Sequence, residues 1–137
     1  MHSTNQSETQ ASILDYTAWE TLPAYLQVTL LGLEEKQAQD VSVRHIEPLS
    51  SLGDFMVIAS TQSTQQTRAL AGYLEAELED KLQWKARHID ADTQSRWIAL
   101  DYGEMIIHLM VQQEREHYQL DAFWRNAQEL SYTLPNT

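Results

Sequence analysis

The sequence predicts a single α/β domain (α+β, mixed sheet) in which helices flank one mixed β-sheet. Its 137 residues suffice for one hydrophobic core, and the absence of cysteine means that no disulfide contributes. Segments of helical and strand-like periodicity follow in the order helix, strand, strand, helix, strand, strand, strand, helix. The connection from the second strand through the long helix to the third resembles a βαβ crossover, expected to be right-handed if those strands are parallel.

Three regions differ in composition. Residues 1–20 are rich in Ser, Thr, Gln and Asn, so we expect a flexible tail that becomes ordered near Tyr16 and Trp19. These two aromatics could dock onto their own domain or onto a second copy, and docking onto their own domain is favoured. Residues 21–130 form the predicted domain, and residues 131–137 are expected to fray.

The domain is predicted to begin with a helix from Thr21, as N-cap, to about Gln39, with Pro23 in its first turn. Val41–Ile46 alternates as a short strand, and Asp54–Thr61 is the most β-like run, which indicates a central strand. The apolar face of the helix comprises Leu22, Leu26, Leu30 and Leu33.

A second helix is predicted from about Thr64 to Gln83, because Ser63 and Gln66 have the spacing of a capping box. A third strand over Trp84–Ile89 and a polar turn follow. The predicted buried side of this helix carries Leu70, Leu74 and Leu78, and its acidic side is interpreted as a solvated face.

Two β-rich runs flank a turn signal at Asp101–Glu104 and predict a hairpin. With Tyr102 and Gly103 as its two-residue loop, arithmetic fixes the register. One face would then be aliphatic, pairing Leu100 with Met105 and Ile98 with Ile107. The other would pair Ala99 with Ile106 and Trp97 with His108, and this mixed face is predicted to be a binding surface.

The chain is expected to close with a short helical turn over Gln112–Tyr118 and a last helix that Asp121 caps and that carries Phe123 and Trp124.

The formal net charge of −11 favours a basic partner, although acidity alone also serves solubility. The nine Lys and Arg residues are scattered, which argues against direct, sequence-specific nucleic-acid binding. No run of roughly 20 apolar residues predicts a membrane span, and no apolar signal core predicts export. We therefore expect a cytoplasmic protein that does not bind membranes.

Motifs for catalysis or cofactors are missing from the sequence: it has neither a phosphate-binding glycine loop nor a nucleophile elbow. His45, His88 and His108 lie on predicted strands without metal-ligand spacing. Asp54 lacks the second carboxylate that a nucleotidyltransferase needs for its metal ions. The sequence thus predicts a non-enzymatic protein without cofactor or metal.

Four segments in register resemble the ribosomal silencing factor (Iojap-like) family, over roughly residues 24–126. The matching segments are Asp40-Val41, the run Ser50–Ile58 (S-S-L-G-D-F-M-V-I), the run Trp97–Glu104 through His108 (W-I-A-L-D-Y-G-E), and the run His117–Trp124 (H-Y-Q-L-D-A-F-W). The chain departs from the family pattern at Gln62–Thr67, where a glycine and an Arg-His pair are replaced.

This resemblance implies a nucleotidyltransferase-like fold without transferase activity. It also implies binding to the large ribosomal subunit through ribosomal protein L-fourteen, which would block joining of the small subunit and lower translation when nutrients are short.

We predict a contact surface on the hairpin, with the indole of Trp97 as a desolvated anchor. Two structural alternatives remain: Trp97 and Ile106 could lie under a helix or in a homodimer contact, and Asp101 could serve the turn backbone. The predicted surface comprises Trp97, Asp101, Tyr102, Glu104, Ile106 and His108.

Two other functions remain open. One is a divergent nucleotidyltransferase-like enzyme. The other is an acidic, dimeric adaptor for a different basic partner, which the departures at Gln62–Thr67 would allow.

Overall fold

The computed structural model describes residues 17–135 and has the predicted order of elements. A 3-10 turn precedes the first helix and a two-residue strand follows the last. The helices are α1 (Ala24–Glu35), α2 (Thr64–Leu82), α3 (Gln112–Tyr118) and α4 (Leu120–Phe123). The strands are β1 (Gln39–His45), β2 (Phe55–Thr61), β3 (His88–Ala91), β4 (Trp97–Asp101), β5 (Met105–Val111) and β6 (Gln128–Glu129).

All six strands form one mixed sheet in the order β3-β4-β5-β2-β1-β6. Only the β2–β5 pair is parallel; the other neighbours run antiparallel. As predicted, β2 is a central strand, and residues 56–61 are all buried. A strand covered on both faces needs apolar or small residues at every position, which explains its uninterrupted F-M-V-I-A-S-T sequence.

Helices α1 and α2 cover one face of the sheet, as their leucine spacing predicts. Gly32 allows the two helices to approach closely, because a Cβ at this position would lie 2.8 Å from Leu74 Cδ2. The predicted helical set is buried throughout: Leu22, Leu26, Leu30, Leu33, Leu70, Leu74 and Leu78. This layer is the main hydrophobic core.

The opposite sheet face carries a smaller buried cluster, and α3 with the segment after it covers only part of that face. Trp97, Ile106 and Leu120 pack against this cluster and stay half-buried. Its buried members are Ile46, Met56, Ile58, Met110, Trp124 and Ala127. The incomplete cover leaves the β4–β5 end of this face partly open.

The terminal segments pack on the domain as far as they are described. Trp19 is buried and lies 6.1 Å from Tyr132, between ring centroids, so its predicted docking is confirmed. Tyr16 and residues 136–137 lie outside the described residues. Leu134 packs against the main core together with Tyr132.

The capping box is confirmed in its first half. Ser63 Oγ accepts a hydrogen bond of 3.0 Å from the backbone N–H of Gln66, at the first turn of α2. The Gln66 carboxamide oxygen accepts from the backbone N–H of Gln62, 2.7 Å away, rather than from that of Ser63. Two otherwise unpaired donors at the helix start are thereby satisfied.

We expect Ser63→Ala to lower the free energy of unfolding by about 1 kcal/mol, because the cap bond to Gln66 is lost. Urea denaturation measures this change. The matched control is Gln65→Ala, an exposed neighbour, which should stay within about 0.5 kcal/mol of the parent. Equal losses in the two variants would contradict the capping role.

Two predicted element starts are wrong. Thr21 is not a helix cap: it ends the 3-10 turn, its hydroxyl donates to the Ala18 carbonyl, and α1 begins after Pro23. The third strand begins at His88 rather than at Trp84. The Trp84 ring instead packs against aromatic rings of the main core.

The predicted cap of the last helix is also wrong. Gln119, in a left-handed conformation with φ +53°, occupies the N-cap position of α4. Asp121 lies inside the first turn, and its carboxylate binds the guanidinium of Arg115 through two 2.9 Å hydrogen bonds. That pairing holds the pKa of Asp121 below its ordinary value.

Candidate functional site: the open face of the β4–β5 hairpin

The hairpin forms with a loop one residue later than predicted. Tyr102 N donates to Met105 O at 2.8 Å, so the two loop residues are Gly103 and Glu104. Gly103 has φ +87°, which favours glycine. Ala99 therefore pairs with His108 rather than with Ile106.

The predicted sheet faces are nevertheless correct, because the register shift is two residues and successive side chains alternate. Ile98, Leu100, Met105 and Ile107 lie in the main core, which confirms the aliphatic face. On the other face, Trp97 pairs with Met110 instead of His108, and Asp101 pairs with Ile106.

Tyr102 does not join the predicted surface. Its side chain is only 3% exposed and lies on the aliphatic face, where its ring centroid is 5.0 Å from that of Trp84. Burial raises the pKa of the Tyr102 hydroxyl to about 12. The prediction that Tyr102 is one of the two loop residues is wrong, and its burial places it away from the open face of the hairpin.

Trp97 and His108 form one hydrogen-bonded unit. Trp97 Nε1 donates to His108 Nδ1 at 2.9 Å, diagonally across the two strands. Because Nδ1 accepts, the neutral imidazole carries its proton on Nε2. Burial lowers the pKa of His108 to about 4, so the imidazole is neutral near pH 7.

Asp92 positions the start of β4. Its Oδ1 accepts from the backbone N–H groups of Arg96, at 2.6 Å, and of Trp97, at 3.3 Å, and its Oδ2 accepts from Arg96 Nε at 3.2 Å. Burial alone would raise the pKa of Asp92, but these hydrogen bonds outweigh it and the pKa is lowered. The carboxylate therefore stays ionised and holds the backbone beside Trp97.

A cavity of about 340 Å³ lies beside the Trp97–His108 unit. Its wall combines the apolar surface of the Trp97 indole and of Ala99 with the carboxylates of Asp90 and Asp92. Its lining residues are Asp90, Ala91, Asp92, Trp97, Ala99 and His108.

Carboxylates also mark the turn end of the hairpin. Asp101 Oδ1 accepts from Gly103 N at 2.8 Å, which confirms its backbone role in the turn, and its Oδ2 lies 3.7 Å from Arg87 Nη2. The Glu104 carbonyl accepts from the backbone N–H groups of Asp54 and Phe55, while the Glu104 residue is exposed.

Ile106 stands between core and surface. It is half-buried, pairs with Met56 in the parallel ladder, and packs against the smaller buried cluster. The structure thus brings Trp97, Ile106 and His108 to one face, with Asp101 and Glu104 at its end.

One residue of this face was missed. The sequence suggested only a packing corner for His117 and Tyr118, yet the Tyr118 ring lies 4.8 Å from that of Trp97 and is 54% exposed. The sequence holds one signal for this placement. Because α3 begins directly after β5, its residues stay close to the hairpin, and Tyr118 at its end contacts Trp97 of β4.

The other predicted histidines lie apart from this unit. His45 contacts Phe55 and Glu47, and His88 contacts Asp90. Within residues 17–135, no group of three or more His, Cys, Asp or Glu side chains is arranged to hold a metal ion. None of the helices described is both long and apolar enough to cross a membrane.

The fold and site define a small mixed α/β protein with a partly open, aromatic and acidic sheet face. The chain belongs to the family "Ribosomal silencing factor during starvation", whose model matches residues 20–136.

Individual relatives agree with this family assignment. The chain is 31% identical over 103 residues to "Ribosomal silencing factor RsfS" of Haemophilus influenzae, covering 75% of this chain and 97% of that protein. It is 30% identical over 95 residues to mouse "Mitochondrial assembly of ribosomal large subunit protein 1", covering 67% and 41%. A crystal structure of a Chromobacterium violaceum protein, 23% identical, superimposes with a TM-score of 0.70 over 74% of this chain and 83% of that one, which supports the fold.

Proposed function

We propose that this protein binds the large ribosomal subunit through ribosomal protein L-fourteen and sterically blocks joining of the small subunit. In the cytoplasm this would repress translation when nutrients are limited. The proposal rests on family membership and on one structural observation: the β4–β5 hairpin presents a half-buried indole, fixed by His108, on a partly uncovered sheet face. We assign the contact to Trp97, Asp101, Glu104, Ile106 and His108.

The charge of the site favours a basic protein surface as its partner. Carboxylates of Asp90 and Asp92 line the cavity beside the indole, those of Asp101 and Glu104 lie at the turn end of the same hairpin, and the whole chain carries a formal net charge of −11. Complementary charge raises the association rate and suppresses wrong partners more than it adds affinity. A half-exposed tryptophan beside such a rim is the residue type that most often dominates binding energy.

Direct binding to RNA is a weaker explanation. Six of the nine Lys and Arg residues form ion pairs with acidic side chains. Paired and scattered cations do not form the continuous basic surface that phosphate binding needs.

Sucrose-gradient co-sedimentation with separated ribosomal subunits tests the proposal. We expect the full chain to migrate with the large subunit, and the joined-ribosome peak to fall when both subunits are mixed at raised Mg²⁺. Absence of binding to the large subunit, or binding that leaves joining intact, would overturn the proposal.

Trp97→Ala should weaken binding to the large subunit by about 2 kcal/mol, or roughly thirtyfold in Kd, because a desolvated anchor is lost. Glu104→Lys should also weaken binding, and its exposed side chain makes folding easy to preserve. The control is Leu31→Ala, which removes an exposed apolar side chain from α1 on the opposite side of the sheet. Unchanged affinity in a folded Trp97→Ala protein would refute the anchor assignment.

A further inference from the structure

Arg96, the residue directly before the Trp97 anchor, lies between two carboxylates from different segments of the chain. Its Nε donates to Asp92 Oδ2 at 3.2 Å, in the turn between β3 and β4. Its Nη1 lies 3.6 Å from Glu114 Oε2, in the first turn of α3. The Glu114 side chain is only 18% exposed, so water and salt screen this ion pair less than a fully exposed one.

The backbone of Arg96 contacts the same two regions as its side chain. Its N–H donates to Asp92 Oδ1 at 2.6 Å, and its carbonyl accepts from the backbone N–H of Val111 at 2.9 Å, at the junction of β5 and α3. The backbone N–H of Asp92 also donates to the Trp97 carbonyl at 3.1 Å. Arg96 therefore joins the β3–β4 turn to the start of α3, and Trp97 projects from the backbone that these bonds hold.

A binding residue that is already ordered in the free protein gives more affinity than a mobile one, because ordering it on association costs free energy. His108 fixes the Trp97 indole through its N–H. The contacts of Arg96 fix the backbone from which the indole projects. The two restraints are complementary, since one acts on the side chain and the other on the main chain.

Charge alone would make Arg96 unfavourable at this site. The proposed partner is basic, and a cation next to the anchor repels it. An arginine with two carboxylates instead has a geometric use, because its planar group of donors can bind both of them at once. The geometry of Arg96, rather than its charge, therefore suits the proposed function.

We propose that Arg96 is a positioning residue, whose guanidinium joins Asp92 to Glu114 and so holds the Trp97 anchor in its binding orientation. This inference rests on the proposed function. Arg96 acts through Trp97 and needs no contact with the partner of its own.

The first test compares Kd values of full-length variants for isolated large subunits. Arg96→Ala removes a positive charge, so attraction to a basic partner alone would leave the affinity equal or raise it. We expect the variant to bind about fivefold more weakly, because the anchor has to be ordered on binding. The matched control is Arg87→Ala, which removes an exposed arginine, paired with Asp101 of the same hairpin, and should not weaken binding. Undiminished affinity in Arg96→Ala, or an equal loss in the control, would overturn the proposal.

The indole N–H resonance of Trp97 in the free chain gives the second readout, since this group donates to His108. We expect the resonance to broaden and to exchange faster with solvent in Arg96→Ala and in Glu114→Gln, and to stay as in the parent in Arg87→Ala. A parental resonance in an Arg96→Ala protein that binds weakly would overturn positioning in favour of a direct contact with the partner. A parent chain that fails to bind large subunits would overturn the proposed function, whereas the spectra of the free chains would still decide whether Arg96 holds the indole.

Discussion

Arg115→Ala is expected to lower the free energy of unfolding by about 3 kcal/mol, as when one partner of a largely buried ion pair is removed. The Arg115 side chain is 11% exposed and reaches three other elements. It forms a two-bond fork with Asp121 near the start of α4, and it donates to Ser60 of β2 and to the Asp40 carbonyl of β1. Its loss leaves these acceptors without their donor.

Urea denaturation of Arg115→Ala measures this effect, with Arg115→Lys as an intermediate that keeps the charge and loses the planar fork. The matched control is Arg125→Ala, since that exposed arginine donates only to the Ala122 carbonyl, within its own turn. We expect the control to stay within about 0.5 kcal/mol of the parent. A loss below about 1 kcal/mol for Arg115→Ala would show that solvent replaces the fork.

The hairpin shows what periodicity predicts and what it leaves open. Alternation assigned the side chains of β4 and β5 to the correct faces, because this assignment depends only on parity. The loop position was wrong by one residue because Gly103 belongs to the loop in either register. Burial of Tyr102 against Trp84 favours the observed register, and no local pattern reveals that contact.

Two of the other wrong predictions involve contacts that a side chain makes outside its own element. Asp121 has the residue type of a helix cap, yet Arg115 on the preceding helix binds its carboxylate. Trp84 looks like the start of a strand, yet its ring packs against Tyr25. Local propensity gives way in both places to a stronger tertiary contact.

The candidate site was predictable in its sheet part and not in its helical part. Trp97, Ile106 and His108 share a face by alternation alone. The addition of Tyr118 depends on how α3 folds back from β5, which the bond from Val111 N to the Arg96 carbonyl and the Arg115 fork determine. Both hydrogen bonds join different secondary-structure elements, and the periodicity within one element does not predict which other element it contacts.

Acidification should destabilise the protein through His108. Its pKa is lowered from the ordinary 6.5 to about 4 in the folded state, so the unfolded chain binds the proton more readily at intermediate pH. The resulting stability is fully present above pH 6.5 and is lost as the pH falls to about 4. The difference amounts to about 3 kcal/mol. Protonation would also place a second N–H on Nδ1, opposite the Trp97 indole N–H, and break their hydrogen bond.

Free energies of unfolding measured between pH 7 and pH 4 test this linkage. Carboxylates such as Asp92 and Asp121 also favour the folded state when ionised, so the His108 contribution is isolated by difference with His108→Gln, whose amide oxygen can still accept from the indole. His88→Gln removes an exposed imidazole from the neighbouring strand and should keep the parental pH dependence. Parallel pH profiles for the parent and His108→Gln would contradict the assignment. A flatter profile for His108→Gln alone would show that the buried, neutral imidazole of His108 is the source of this pH dependence.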